Sequence, residues 1–348
     1  MSILTEITLV KKTIKIGSAL ILIIILAYWQ GPKPVFENVP DKIPKIDLKL
    51  DQLDSAIRVK ESLFPNLKEE NESRIIWADS VRKTPYAMVY LHGFSAGVME
   101  SEPVHQMLAK KYGCNLYLAR LSHHGLSGND AFEGLTPASL MESAAEALAI
   151  GQLIGDKVIL VSCSTGGTLS IFLTAQNPKA VAAQILYSPN TAIDDPSAML
   201  LNKPWGGKLI NMVMGNYKIA DSVYYGTPIE KYWTLTYRSE ALVALQELLD
   251  QTMKDEIFQK IKSPYFIGYY FKTEEESDHV ISVPGILNFD SKTQTPNDLK
   301  RVVPFPNVGH HVIASELQSK DISSVIRETS LFLDEVMGIH ATTIDSIN

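Results

Sequence analysis

Lys157-Val158-Ile159-Leu160-Val161 runs straight into Ser162-Cys163-Ser164-Thr165-Gly166-Gly167, and beyond it Leu169, Ile171, Phe172 and Leu173 resume an apolar spacing of helical period. An unbroken aliphatic run bounded by small residues reads as a strand buried on both faces. The stretch therefore predicts strand, tight turn and helix, with Ser164 at the turn. A serine held in such a turn needs small neighbours, because the strained backbone crowds them. Gly166 meets that need, and Ser162 stands where the pattern Gly-x-Ser-x-Gly has its first glycine. The match alone is common; its place between a strand and a helix makes Ser164 the candidate nucleophile, with Ser162 and Gly166 shaping the elbow.

Outward from this turn, short apolar runs alternate with longer helical stretches. Strands are expected at 74–78, 86–91, 115–121, 157–161, 182–187, 265–270 and 301–304, and helices at 50–64, 103–112, 138–153, 167–175 and 315–337. Such alternation indicates an α/β class with a mostly parallel sheet covered on both faces. One connection is long. Residues 191–263 carry helical patterns of their own, with Leu242, Leu245, Leu249 and Met253 on one face and a second apolar group at Leu200, Leu201, Trp205, Leu209 and Met212. A structureless loop of that length would be exceptional, so it reads as a cap inserted over one edge of the sheet.

A second signal is Tyr86-Ala87-Met88-Val89-Tyr90-Leu91-His92-Gly93-Phe94-Ser95. A glycine just past a strand lets the backbone approach a ligand, so the next amide can face a developing oxyanion. Phe94 N–H and Thr165 N–H are the expected donor pair, and His92 is expected to be satisfied inside the fold.

These two stretches, in this order and among alternating strands and helices, resemble the α/β-hydrolase superfamily, in particular its capped branch of lipases, esterases and serine aminopeptidases, which includes the monoacylglycerol lipases. The resemblance spans roughly residues 74–338. It implies a mostly parallel eight-stranded sheet, helices on both faces, a helical cap inserted after strand 6, and a triad in the order Ser, acid, His. In that family an Asp precedes a short apolar pair and a small residue, which Asp278-His279-Val280-Ile281-Ser282 matches; the run Glu274-Glu275-Glu276 beside it reads as a solvated loop. The base is expected after the last strand, where Gly309-His310-His311-Val312-Ile313 leaves two alignments. The family's step from His into a short apolar run favours His311, with His310 as the alternative base. At His123-His124-Gly125 relatives often carry Gly-His-Gly after a charged residue, and this chain departs from that pattern.

Composition bounds the function. The chain has 348 residues, 45% hydrophobic, with 32 Lys and Arg against 39 Asp and Glu, a formal charge of −7. No basic cluster stands outside the first residues, which disfavours nucleic acid as a partner. No motif calls for a cofactor. No carboxylate or Cys stands at ligand spacing beside His123 and His124, so no metal site is expected. Two cysteines, one of them Cys163 beside the candidate nucleophile, make a structural disulfide improbable.

Residues 16–29, IGSALILIIILAYW, carry no charge, follow Lys11, Lys12 and Lys15, and end in Tyr28-Trp29. At about 1.5 Å per residue they reach roughly 21 Å, and Thr13, Ile14 and a snorkelling Lys15 extend them toward the ~30 Å a bilayer demands. A signal peptidase site would need small residues where Tyr28 and Trp29 stand, and a buried helix would show a polar face. The expectation is an uncleaved single-pass anchor over 1–31, with lysines inside and the following domain outside the cytoplasm. A linker and lead-in helix over 32–72 then lead to a hydrolase domain over 73–348. The expected activity is cleavage of carboxylic esters through Ser164, Asp278 and His311. A peptidase or acyltransferase of the same fold is the nearest alternative, and a non-catalytic binding protein the more distant one.

Overall fold

The computed structural model describes residues 3–342. The chain begins with α1 (Ile3–Trp29), α2 (Leu50–Glu61), β1 (Arg74–Ile76), β2 (Thr84–Leu91), α3 (Val104–Lys111), β3 (Asn115–Ala119), α4 (Pro137–Ile154), β4 (Gly155–Cys163), α5 (Thr165–Gln176) and β5 (Ala183–Tyr187). An insertion follows, with α6 (Gly206–Met214), β6 (Tyr217–Ile219), α7 (Pro228–Tyr232), β7 (Thr236–Arg238), α8 (Ala241–Thr252) and α9 (Asp255–Phe258). The chain returns through β8 (Tyr265–Tyr270), α10 (Val283–Lys292), β9 (Lys300–Phe305) and α11 (Ile322–Leu331), whose end loosens into a π turn over Phe332–Val336.

Seven strands form one sheet in the order β1-β3-β2-β4-β5-β8-β9, all parallel except the edge strand β1. Along β2 and β4 the pleat divides the core. Val89, Leu91, Val158 and Leu160 face α2, α4 and α5, while Met88, Tyr90, Ile159 and Val161 face α3 and α11. Burial on both sides explains why these strands read as continuous aliphatic runs rather than as alternations.

Two expectations need correction. The sheet has seven strands rather than eight, and the insertion follows its fifth strand, β5, rather than a sixth. An additional leading strand has no sequence to build it: residues 62–73, SLFPNLKEENES, are polar and interrupted by Pro65. The insertion is also not wholly helical, since β6 and β7 pair as a small antiparallel sheet. Its parts diverge in role. Helices α8 and α9 pack back onto α4, α5 and α10 as part of the domain's outer layer, leaving the stretch up to β7 as the cap proper. Of the apolar group expected at Leu200, Leu201, Trp205, Leu209 and Met212, all but the half-buried Leu201 are exposed.

The amino-terminal helix starts well before the apolar run. None of Lys11–Trp29 is buried, and this stretch is long and apolar enough to cross a bilayer. Residues 32–49 have no regular structure but are strapped to the body. Val39 N–H donates to Gln251 Oε1 at 2.8 Å, Asn177 Nδ2 donates to Asp41 O at 2.9 Å, and Val39, Ile43 and Ile46 pack against the core. Helix α2 is fastened more tightly. Glu61, buried at its end, accepts from Arg120 Nε at 2.6 Å and from Ser73 Oγ at 2.8 Å, and Arg120 stacks over the Phe64 ring.

Candidate active site

The turn between β4 and α5 places Ser164 at φ 51° and ψ −118°, a conformation that costs a non-glycine residue about 1–3 kcal/mol. Backbone hydrogen bonds hold it there, a 3.3 Å bond from Thr168 N–H to its carbonyl among them. Ser164 N–H donates to Tyr187 O at 3.0 Å, and its carbonyl accepts from Gly167 N–H at 2.8 Å and Asn190 N–H at 2.9 Å. Glycine is obligatory at 166, because a Cβ would lie 1.9 Å from Leu91 O. Ser162 is fully buried at the other flank, its hydroxyl directed at Ile185 O at 3.4 Å. Thr165 opens α5, so its N–H belongs to the helix-start amides that lack an intrahelical acceptor and favour negative charge.

Loops after β8 and β9 bring together two further residues. His311 Nδ1 donates to Asp278 Oδ2 at 2.6 Å, and Asp278 Oδ1 accepts from Val280 N–H at 2.9 Å and Ile281 N–H at 3.3 Å. Ser188 Oγ donates to His311 O at 2.8 Å and fixes the backbone of the His loop. Burial works against charge on both groups. At His311 the Asp278 charge and hydrogen bond, helped by Glu100, outweigh it and hold the imidazole above its ordinary pKa. At Asp278 the neighbouring His311 and the two backbone N–H groups likewise prevail and keep the carboxyl below its usual range. His310 turns elsewhere. Its Nδ1 accepts from Val312 N–H at 3.0 Å, and burial, reinforced by His311, lowers its pKa to about 4. Glu274, Glu275 and Glu276 are exposed on the same loop as Asp278 and make no bond to His311.

The loop after β2 supplies the third part. Among the described residues no hydrogen bond uses the Phe94 N–H. The preceding amide is occupied: Gly93 N–H donates to Glu100 Oε2 at 2.6 Å. The Phe94 ring packs against His124, Phe132 and Tyr237 with centroids 5.1–5.6 Å apart, so β7 of the cap helps hold this loop. His92 and His124 are buried braces. His92 Nε2 accepts from Leu121 N–H at 3.1 Å, and His124 Nε2 accepts from Ser95 N–H at 3.1 Å. Burial lowers the pKa of both, that of His92 to about 4, so both stay neutral.

Sequence reasoning missed Glu100 and Ser188. Glu100 is 2% exposed, accepts from Tyr90 OH at 2.9 Å as well as from Gly93, and has no ion pair among the described residues. A Cβ on Gly93 would lie 2.7 Å from Glu100 Oε1 and 3.1 Å from Ser164 Cβ, which measures how closely the carboxyl and the serine flank that glycine. Burial raises its pKa. No local pattern marks it: Val98-Met99-Glu100 reads as an ordinary loop, and the fold alone brings the carboxyl to Gly93.

Ser164, Thr165, Phe94, Glu100 and His311 line one cavity of about 460 Å³. Its outer walls come largely from the insertion and are mostly apolar, with Ala220, Tyr224, Ile229, Trp233, Leu235 and Leu245, though Lys218 and Asp221 also line them. Thr165 Oγ1 and Asn190 Oδ1, from two lining residues, are buried without a hydrogen-bond partner. The arrangement brings a serine on a strained turn, an imidazole oriented by a carboxylate, and Phe94 and Thr165 to one largely apolar chamber.

Three solved structures share this architecture over nearly their whole length. A metagenome-derived lipolytic enzyme superimposes with a TM-score of 0.61 at 14% identity, covering 77% of this chain and 98% of its own. The monoacylglycerol lipase of Paleococcus ferrophilus gives 0.54 at 13% identity, covering 75% and 97%. A soluble variant of monoglyceride lipase from Saccharomyces cerevisiae, in complex with a substrate analogue, gives 0.56 at 12% identity, covering 76% and 92%. The fold is thus the α/β-hydrolase fold. No family model matches the sequence, and no curated protein matches it.

Proposed function

We propose that this chain is a serine hydrolase that cleaves carboxylic esters, tethered to a membrane by α1. The observation that carries the reading is the 2.6 Å bond from His311 Nδ1 to Asp278, made by an imidazole that shares its cavity with the strained Ser164. Asp278 fixes the tautomer, leaving His311 Nε2 as the base. It takes the Ser164 Oγ proton as the oxygen attacks the ester carbonyl; Phe94 and Thr165 amides receive the oxyanion; the imidazolium then protonates the leaving alcohol. Water, activated by the same imidazole, releases the acyl group and regenerates Ser164. The apolar walls and the lipolytic enzymes that share the fold favour an acyl ester over an aminoacyl amide.

Labelling of the full-length protein with a fluorophosphonate probe tests this reading. Wild type should label and Ser164→Ala should not; an unlabelled wild type, or a labelled variant, defeats it. Turnover of p-nitrophenyl esters should exceed that of aminoacyl amides, and the reverse order would favour the peptidase alternative. The tether is supported by an exposed helix whose apolar run follows Lys11, Lys12 and Lys15 and closes on Tyr28 and Trp29. Intact mass of the membrane fraction tests it, since a cleaved signal sequence would shorten the chain.

A further inference from the structure

Most of the large exposed apolar side chains lie in two places. One is α1. The other is the cap, where Met199, Leu200, Leu209, Met212 and Val213 are all exposed, Met212 at 82% and Val213 at 75%. Helix α6 buries only Gly206 and Ile210 and turns its remaining apolar residues outward. A water-soluble surface does not ordinarily carry such a group.

The two places are joined by a built contact. Trp205, at the N-terminus of α6, donates from its indole Nε1 to Ala27 O at 3.0 Å, capping one of the last carbonyls of α1, which have no intrahelical donor. Its backbone N–H donates to Pro32 O at 2.8 Å. To do so Trp205 adopts φ 71°, in the left-handed region that a bulky residue enters only when its surroundings compel it. Gly31 admits the indole: a Cβ there would stand 2.0 Å from Nε1. The C-terminal end of α1 and the N-terminal end of α6 are therefore held at one level.

We propose that the cap lies on the membrane surface beside the anchor, with the outward side chains of α6 in the lipid–water interface. This rests on the reading of α1 as an anchor. If α1 spans the bilayer and ends at Trp29, Trp205 is at headgroup depth, where tryptophan is favoured. Charge agrees with lipid as the occupant. From residue 196 to 220 the chain has no Asp or Glu and has Lys203, Lys208 and Lys218; Lys203 meets Asp250 of α8 at 3.5 Å, and Lys208 and Lys218 carry the charge suited to phosphate headgroups. The pocket adjoins this face, since Lys218, Ala220 and Asp221, just beyond α6, line its wall. An apolar ester would then pass from the bilayer surface to Ser164 without crossing bulk water.

Full-length protein carrying Met212→Cys, labelled with an environment-sensitive fluorophore and reconstituted in phosphatidylcholine–phosphatidylglycerol vesicles, tests the proposal. The native thiols do not compete, since Cys114 and Cys163 are buried. Val81→Cys, in the turn before β2 at the opposite end of the strands, is the control. The probe at 212 should shift to the blue and be quenched by nitroxide lipids several-fold more than at 81. Gly31→Val should reduce that quenching while turnover of a short soluble ester stays within about twofold. Equal quenching at the two positions overturns the proposal. So does a blue shift at 212 without lipid quenching, which marks a protein partner or a second copy instead. Intact mass and ester turnover on the same vesicles separate this failure from loss of the anchor or of the hydrolase reading.

Discussion

His311 meets Asp278 at 2.6 Å through Nδ1, while its neighbour His310 spends Nδ1 on the Val312 amide. Only His311 has its second nitrogen oriented by a carboxylate. His311→Ala is expected to abolish ester turnover, and Asp278→Asn to lower kcat by roughly 10³–10⁴-fold by releasing the tautomer. His310→Ala should keep activity within a few-fold. Steady-state kinetics on p-nitrophenyl butyrate decides; total loss in His310→Ala with retention in His311→Ala would reverse the assignment.

The acid limb of the pH profile follows from His311 and Glu100. In the proposed mechanism the neutral imidazole is the base, so a His311 pKa held above its ordinary value moves the limb to higher pH: activity is lost as pH falls through that raised value. Glu100 is one of the groups that raise it. Glu100→Gln removes that charge, lowers the His311 pKa and should shift the limb toward acid. Gly93 N–H and Tyr90 OH both donate to the same oxygen, Oε2, so a glutamine with its oxygen in that place keeps both bonds and the movement of the limb reads the lost charge. A variant whose limb does not move would show that Glu100 has no electrostatic hold on the base.

Gly166→Ala should be among the most damaging single changes in the chain. Its methyl would stand 1.9 Å from Leu91 O, and a backbone carbonyl cannot rotate aside as a side chain can. A loss of about 3 kcal/mol or more is expected, seen as a lower denaturation midpoint or as insoluble protein. Gly207→Ala in α6 has nothing within 4 Å of the new methyl and should gain up to about 1 kcal/mol from helix propensity. Similar effects from the two substitutions would contradict this account of the elbow.

Removing one partner of the buried Arg120–Glu61 pair should cost about 3–5 kcal/mol, because Arg120 would keep a buried charge without its carboxylate. Lys60→Ala breaks an exposed pair with Glu146 next door and should cost at most about 1 kcal/mol. Denaturant unfolding of Glu61→Ala beside Lys60→Ala measures the difference. Near-equal losses would mean that α2 is only loosely attached to the domain.

Much of the fold was legible because its information is local. The aliphatic runs at β2, β4 and β8 are strands whatever surrounds them, and each lies within a few residues of the expected bounds. Helix α10 went unread because Val283-Pro284-Gly285 looks like a break. In the structure Pro284 sits in the first turn, where its missing N–H is harmless, and Ser282 caps Gly285 N–H at 3.2 Å. The eighth strand was an expectation carried by resemblance alone, with no run of residues behind it. At the site, the residues named from motifs were local too. Glu100 was not, since Val98-Met99-Glu100 reads as an ordinary loop, and only folding brings that carboxyl beneath Gly93. The outward face of α6 was misread for a related reason: an apolar spacing shows that a face exists, not what covers it.

The strapping of residues 32–49 to the body bears on where the proposed hydrolase can work. Fully extended, that stretch would give a tether of roughly 60 Å, enough to reach a neighbouring vesicle. Bound to Gln251 and Asn177, it gives almost none. On the anchored reading the catalytic centre has a fixed altitude, and its territory is the leaflet it stands on. It meets new substrate by drifting sideways with its helix rather than by casting outward, and lipids of an apposed membrane stay beyond its range.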